Sequence, residues 1–245
     1  MSTVRLFVEH PLTPSQPLPL TREQAHYLFS VMRLGEGAEL TLFNGVDGEW
    51  RARVSEAGKK GGVLEPVERL REQAGPPDLW LLFAPVKKAR TDFIVEKAVE
   101  MGAARLVPVQ TEFTNSERIR QDRLQAHARE AAEQCGALVV PEVAELARLD
   151  RLLSHWDATR RIMFCDEAEV EGDAQTASGR FEDATGDGPW AILIGPEGGF
   201  SEGERKRLRQ MASAHVAALG PRILRADTAA VAALTLWQTR FGDWR

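Results

Sequence analysis

The sequence predicts an α/β protein in which a small N-terminal β-barrel is followed by a larger domain with a mostly parallel sheet. Up to residue 72, short segments of alternating polarity follow a single helical segment, which is typical of a small antiparallel barrel. From Trp80 onward, apolar runs alternate with helical patterns, as in βα units. We therefore expect domains at residues 1–72 and 78–245, joined by the Gly- and Pro-containing linker Glu72–Asp78.

In the first domain, Thr21-Arg-Glu-Gln24 has the spacing of a capping box and predicts that a helix begins there. Strands are expected at Glu39–Phe43 and Glu49–Ser55, joined as a hairpin around Asn44-Gly45. A further strand follows, and we expect it to break at Pro66, because proline has no N–H to donate to a strand ladder.

In the second domain, five short apolar runs predict strands: Trp80–Phe83, Leu106–Val109, Ile162–Cys165, Trp190–Ile194 and Val216–Leu219. Helices are expected at Thr91–Met101 and along an apolar stripe from Leu124 to Cys135. We expect Cys135 to be buried, because a free cysteine usually packs as a small hydrophobic residue. The segment Asp166–Pro189 is acidic and poor in apolar residues, so we expect a mobile surface excursion.

Composition describes a globular protein, with 43% hydrophobic and 27% charged residues among 245. No apolar run approaches the roughly 20 residues of a membrane helix, and no signal-peptide pattern opens the chain, so we expect a cytoplasmic protein. Two cysteines without a CxxC pair or clustered histidines argue against a disulfide framework and a zinc site. The net charge of −5 counts against nucleic acid as a partner, although local cationic clusters such as Lys87-Lys88-Ala-Arg90 decide binding.

Two glycine- and proline-bent stretches carry the strongest functional signal. Gly195-Pro-Glu-Gly-Gly199 follows a predicted strand and precedes the capping-box spacing Ser201-Glu-Gly-Glu204. Its glycines allow a ligand to approach the main chain closely, while the absence of G-K-[ST] or G-x-G-x-x-G and the presence of Glu197 disfavour phosphate. An ordinary turn is the alternative for one such loop. The second loop, at Gly220-Pro221, repeats the order of strand, bend and helix, which favours a ligand site.

Together these segments, Leu193–Ser201 and Leu219–Ala230, resemble the paired motifs of the SPOUT methyltransferases, and specifically the RsmE group that methylates N3 of a uridine in 16S ribosomal RNA. Arg5–Val8, His26–Arg33 and Glu133–Gly136 resemble further segments of that group. The chain departs from the group's pattern at four positions, namely Ala137, Val139, Ala226 and Asp227.

The resemblance implies a PUA-like N-terminal barrel and a SPOUT domain with a C-terminal trefoil knot. It also implies S-adenosyl-L-methionine as the cofactor and 16S rRNA or the small ribosomal subunit as the partner. We expect a homodimer that has neither a metal nor a membrane association. Two other functions stay open: a SPOUT enzyme that acts on another RNA or on ribose 2′-OH, and a non-catalytic RNA-binding protein of ribosome assembly.

The residues expected to bind the cofactor are those of the two loops and the helix start that follows: Ile194, Gly195, Pro196, Glu197, Gly198, Gly199, Leu219, Gly220, Ile223, Leu224, Arg225, Thr228 and Ala229. The catalytic candidate is Arg225, with Arg222 second, because a permanently charged guanidinium suits the anion that develops on uracil. A structural cap or a dimer ion pair is the alternative for Arg225. Asp227 is a candidate proton acceptor, or else an acidic residue favoured at a helix N-terminus.

Five cationic residues are expected to contact RNA: Arg5, Arg33, Lys87, Lys88 and Arg90.

Overall fold

A computed structural model describes residues 4–58, 61–115, 118–166, 179–184 and 188–245. Contacts group these residues into two units. The first comprises Met1–Gly75 and Ala132–Val140, and the second comprises Pro76–Ala131 and Pro141–Arg245. The domain limits inferred from the sequence, 1–72 and 78–245, stay a prediction.

The sheet of the first unit is mostly antiparallel. Its strands are β1 (Arg5–Phe7), β2 (Leu18–Pro19), β3 (Glu39–Phe43), β4 (Glu49–Ala57) and β5 (Gly62–Arg71), in the spatial order β1-β3-β4-β5-β2. Strands β3 and β4 pair antiparallel, with Phe43 opposite Glu49, so the hairpin expected around Asn44-Gly45 is confirmed. Alternate residues such as Leu40, Leu42 and Leu64 are buried and form the core of this unit.

Strand β5 runs through Pro66 without a break, so the expected interruption was wrong. Pro66 pairs with Ala52 beside a register shift between Arg51 and Ala52. Such a bulge disrupts the ladder locally, and a strand tolerates proline there because no regular N–H donor is required.

The first helix, α1 (Arg22–Ala25), begins at the predicted capping box. The hydroxyl of Thr21 accepts a hydrogen bond from the Gln24 backbone N–H, and the Gln24 side chain accepts one from the Thr21 N–H. The helix continues as a π-helical turn over His26–Val31, whose Leu28 is fully buried in the core.

The second unit contains a parallel sheet, as the βα alternation predicted. Its strands are β6 (Leu79–Phe83), β7 (Arg105–Gln110), β8 (Glu142–Val143), β9 (Ala147–Arg148), β10 (Arg161–Cys165), β11 (Gly179–Arg180), β12 (Trp190–Ile194) and β13 (Ala214–Ala217). The spatial order is β11-β13-β10-β12-β6-β7-β8, and β9 pairs with β7. Strand β13 ends two residues before the predicted Leu219, because the last apolar residues of that run belong to the following loop.

The helices that follow β6 in the chain are α2 (Lys88–Glu100), α3 (Gln121–Cys135), α4 (Leu149–Ser154), α5 (Glu202–Gln210) and α6 (Ala226–Phe241). The last four residues of α3, 132–135, are grouped with the first unit, and the other helical residues with the second. Helix α5 begins at the predicted capping box of Ser201 and Glu204. All five residues of β12 are buried. The trefoil knot implied by the resemblance stays a prediction.

One expectation about burial was wrong. Cys135 is exposed, because it is the last residue of α3, and Ala131 and Ala132 form the buried face before it. In the segment expected to be a surface excursion, residues 167–178 and 185–187 lie outside the described residues. Within its described part, Phe181 is buried and packs edge-on against Trp190 and Phe241.

Arg5 holds together the first unit, although the sequence suggested an RNA contact. Its Nε donates to Glu49 at 2.9 Å, and its Nη atoms donate to the carbonyl oxygens of Ala132, Glu133 and Ala137 at 2.7–3.0 Å. The carbonyls of Ala132 and Glu133 belong to the last turn of α3, where helical carbonyls lack intrahelical partners and the helix dipole is negative, and Ala137 follows the helix. Only 12% of the Arg5 side chain is exposed, so we assign Arg5 to the fold and leave it out of the RNA surface.

We predict that Arg5→Met lowers the free energy of unfolding by about 3 kcal/mol, because it leaves the largely buried Glu49 without its closest partner. The matched control is Arg53→Met, which removes an exposed ion pair with Glu39 and should change stability by less than about 0.5 kcal/mol. Urea titrations measure both values. Equal losses in the two variants would contradict the role assigned to Arg5.

Candidate functional site

The two glycine-bent loops meet at the carboxyl edge of the second unit's sheet. Strands β12 and β13 both pair in parallel with β10, one on each side, so the loops that follow them flank the end of β10. A cleft opens between these loops, and the space between its lining atoms, open solvent included, is about 540 Å³. In parallel sheets, ligands bind outside the carboxyl ends of the strands, which makes this cleft the candidate site.

The cleft contains most of the residues expected to bind a cofactor. Nine of them line it: Ile194, Gly195, Pro196, Gly199, Leu219, Gly220, Ile223, Leu224 and Ala229. Glu197, Gly198, Arg225 and Thr228 were also expected, but they are not part of its lining.

Six lining residues were not expected to bind the cofactor: Cys165, Asp166, Phe200, Ala217, Arg222 and Ala226. Of these, Arg222 was expected as the second catalytic candidate. The most informative are Cys165 and Asp166, which end β10 and lie between the two loops. Sequence order separates them from both loops, and only the spatial order of the strands brings the three segments together. The acidic composition after Cys165 had instead suggested the start of a surface excursion.

Two glycines are required by the geometry of the loops. A Cβ on Gly195 would lie 2.7 Å from the ring of Phe200, which is itself buried, so this position cannot hold a side chain without a shift. Gly220 has φ +104°, a conformation that residues with a side chain rarely adopt. The bends of both loops therefore require glycine at positions 195 and 220.

An ion-pair cluster joins three segments beside the cleft. Arg90, in the first turn of α2, pairs with Glu197 of the first loop, and its Nε lies 3.9 Å from an Asp227 carboxylate oxygen at the start of α6. Arg90 was expected to contact RNA, but its guanidinium is engaged by these two carboxylates. Lys87 and Lys88, immediately before it, are exposed.

The structure separates the two arginines considered for catalysis. Arg225 is the N-cap residue of α6, with an exposed side chain that makes no capping hydrogen bond, and it is absent from the cleft lining. The side chain of Arg222 is exposed as well, but Arg222 is part of the lining. The geometry therefore favours the second candidate over the first.

At the end of β10, Asp166 is buried in the cleft wall and paired with two arginines of α5. Arg205 Nε lies 3.0 Å from Asp166 Oδ1, and Arg209 Nη2 lies 3.2 Å from Oδ2. Burial raises the pKa of the neighbouring Cys165 thiol well above its usual range, and the negative charge of Asp166 raises it further.

Comparison with known proteins assigns the family. Residues 73–238 match the model of an RNA methyltransferase domain, and residues 20–67 match that of an RNA methyltransferase PUA domain. The chain belongs to this RNA methyltransferase family. The expected fold class is confirmed, with a PUA domain at the N-terminus and a parallel α/β domain after it.

The similarity to curated relatives extends over most of the chain. The chain is 26% identical over 231 residues to the Ribosomal RNA small subunit methyltransferase E of Rickettsia conorii, and the aligned region covers 94% of this chain and 93% of the relative. It is also 26% identical to the Bacillus subtilis protein of the same name, covering 88% and 87% of the two chains. Among solved structures, a Neisseria gonorrhoeae Ribosomal RNA small subunit methyltransferase E bound to S-adenosyl methionine matches with TM-score 0.89 at 25% identity, over all of both chains.

Among the residues that the structure describes, no three His, Cys, Asp or Glu side chains are grouped in a way that could hold a metal ion. None of the helices described there is long and apolar enough to cross a membrane.

We predict that Cys165 resists alkylation by iodoacetamide at pH 8.5, because a raised pKa leaves almost no thiolate and burial denies access. The exposed Cys135 should react within minutes and serves as the internal control. In urea, both should react. Peptide mass spectrometry measures the extent of alkylation at each cysteine. Fast labelling of Cys165 in the folded protein would contradict its burial in the wall of the cleft.

Proposed function

We propose that the chain transfers a methyl group from S-adenosyl-L-methionine to N3 of a uridine in the 16S rRNA of the small ribosomal subunit. The observation that carries this proposal is the cleft between the two glycine-bent loops. Support for the substrate comes from relatives named Ribosomal RNA small subunit methyltransferase E and from the sequence motifs that resemble the uridine-N3 group.

The residues of the cleft suit this cofactor. Backbone N–H and C=O groups of the two loops can recognise adenine and ribose, while Ile223 and Leu224 provide apolar walls. When bound, the cofactor supplies an electrophilic methyl group on a cationic sulfur.

The remaining chemistry concerns the uridine. N3 must give up its proton while the methyl bond forms, and negative charge then spreads over O2 and O4 of the base. We assign the stabilisation of that charge to Arg222, because a guanidinium stays protonated and Arg222 lines the cleft. Asp227, half-buried beside the cleft and 3.9 Å from Arg90, is the candidate proton acceptor.

The exposed side chains of Arg33, Lys87 and Lys88 are proposed to contact RNA phosphates. We also propose that the protein acts as a homodimer in the cytoplasm.

We predict that Gly220→Ala weakens S-adenosyl-L-methionine binding about tenfold while the protein stays folded. An alanine at φ +104° is strained by roughly 1–2 kcal/mol. If the free loop relaxes to avoid this strain, ligand binding must restore the strained conformation, and that cost lowers the affinity. The control is Gly203→Ala within α5, where a Cβ is accommodated and affinity should not change. Isothermal titration calorimetry measures both variants, and unchanged affinity in Gly220→Ala would remove this loop from the site.

We predict that Arg222→Lys lowers the single-turnover rate of methyl transfer to 16S rRNA by about 10²–10³, because it loses a planar, preorganised donor. Cofactor affinity should stay within about threefold. Arg225→Lys, the matched variant three residues away, should keep a rate close to that of the wild type. The reverse ranking would return the catalytic assignment to Arg225, and wild-type rates in both variants would exclude both arginines.

A further inference from the structure

A buried charge cluster forms one wall of the cofactor cleft. Among the described residues it includes Asp166 at the end of β10 and two arginines of α5, Arg205 and Arg209. Arg205 Nε lies 3.0 Å and 3.2 Å from the two carboxylate oxygens, and Arg209 Nη2 lies 3.2 Å from the second. We call this set the Asp166 cluster.

The members of the Asp166 cluster differ in their access to water. The Asp166 side chain is 0% exposed, whereas the side chains of Arg205 and Arg209 are 24% and 30% exposed. Water screens the charge of the two arginines, and it screens the carboxylate far less. The field inside the cleft therefore contains a larger contribution from the carboxylate than the formal charges of the cluster suggest.

Two further observations place this negative field in the cleft. Among the described residues that line it, Asp166 is the one carboxylate and Arg222 the one cation; Arg222 is exposed, so water screens its charge more than that of the buried Asp166. The anionic Asp166 also contributes to the raised pKa of the adjacent Cys165 thiol, which lines the same wall. A negative charge that acts on one lining group acts on a ligand in the same cleft.

We propose that Asp166 determines charge specificity in this cleft: its buried carboxylate favours the cationic methyl donor over the neutral product that remains after transfer. The inference rests on the proposed function, because it concerns the same cofactor. The methyl donor and S-adenosylhomocysteine differ by one methyl group and one positive charge at sulfur. A fixed negative charge discriminates between them, and it thereby favours release of the product once the positive charge is gone.

The competing explanation is that Asp166 only attaches α5 to the sheet. In that case its loss would disturb the cleft for every ligand alike. Ligand pairs that share a shape and differ in charge distinguish the two explanations.

The experiment measures by calorimetry the affinities of S-adenosyl-L-methionine, of the neutral S-adenosylhomocysteine, and of sinefungin, which bears a cationic amine in place of the sulfonium. Asp166→Asn keeps the size of the side chain and removes its charge. We expect it to weaken both cationic ligands about tenfold and the neutral ligand less than threefold. The control is Asp150→Asn, which removes an exposed carboxylate outside the cleft lining and should leave all three affinities unchanged.

A second variant combines Asp166→Asn with Arg209→Gln. It removes the carboxylate and one of the two arginines that pair with it, so the net charge of the cluster equals that of the wild type. It tests the same shift in preference if the single variant fails to fold. Equal weakening of all three ligands, or no weakening, overturns the inference and leaves the proposed function intact. If the wild-type protein binds none of the three ligands, the proposed function fails, and this inference fails with it.

Discussion

The parallel pairing of β10 with both β12 and β13 is the constraint on which the rest of the site depends. Because all three strands run in the same direction, their carboxyl ends lie together at one edge of the sheet. The glycine loops after β12 and β13 thereby face each other across the end of β10. The cleft, its apolar walls and its buried carboxylate all follow from this arrangement.

Charge in the second unit is distributed in two layers. Asp166 is buried at the end of β10 and compensated by two arginines of α5. Farther out, Arg90 pairs with Glu197 of the first loop and approaches Asp227 at the start of α6. Each layer joins elements that are distant in sequence, so removing one charge in either layer removes a contact between two elements.

The sequence predicted the parts of the site that depend on local chemistry. Gly195 and Gly220 predicted the two loops, and the capping box at Ser201 predicted the helix after the first loop. Both signals are local, because bends and caps depend on only a few consecutive residues. Asp166 could not be found in this way, since its place in the cleft depends on the order of strands in the sheet. The partners of Arg5 could not be found in this way either, because the carbonyl oxygens of residues 132, 133 and 137 are distant from it in sequence.

The most direct test of the proposed function is a comparison of 16S rRNA from cells with and without the gene for this protein. Mass spectrometry of nuclease fragments counts N3-methyluridine at each position. The proposed function predicts that a single N3-methyluridine disappears on deletion and returns when the wild-type gene is restored. An unchanged set of N3-methyluridines, or the loss of a methyl group from ribose 2′-OH or from another RNA instead, would contradict it.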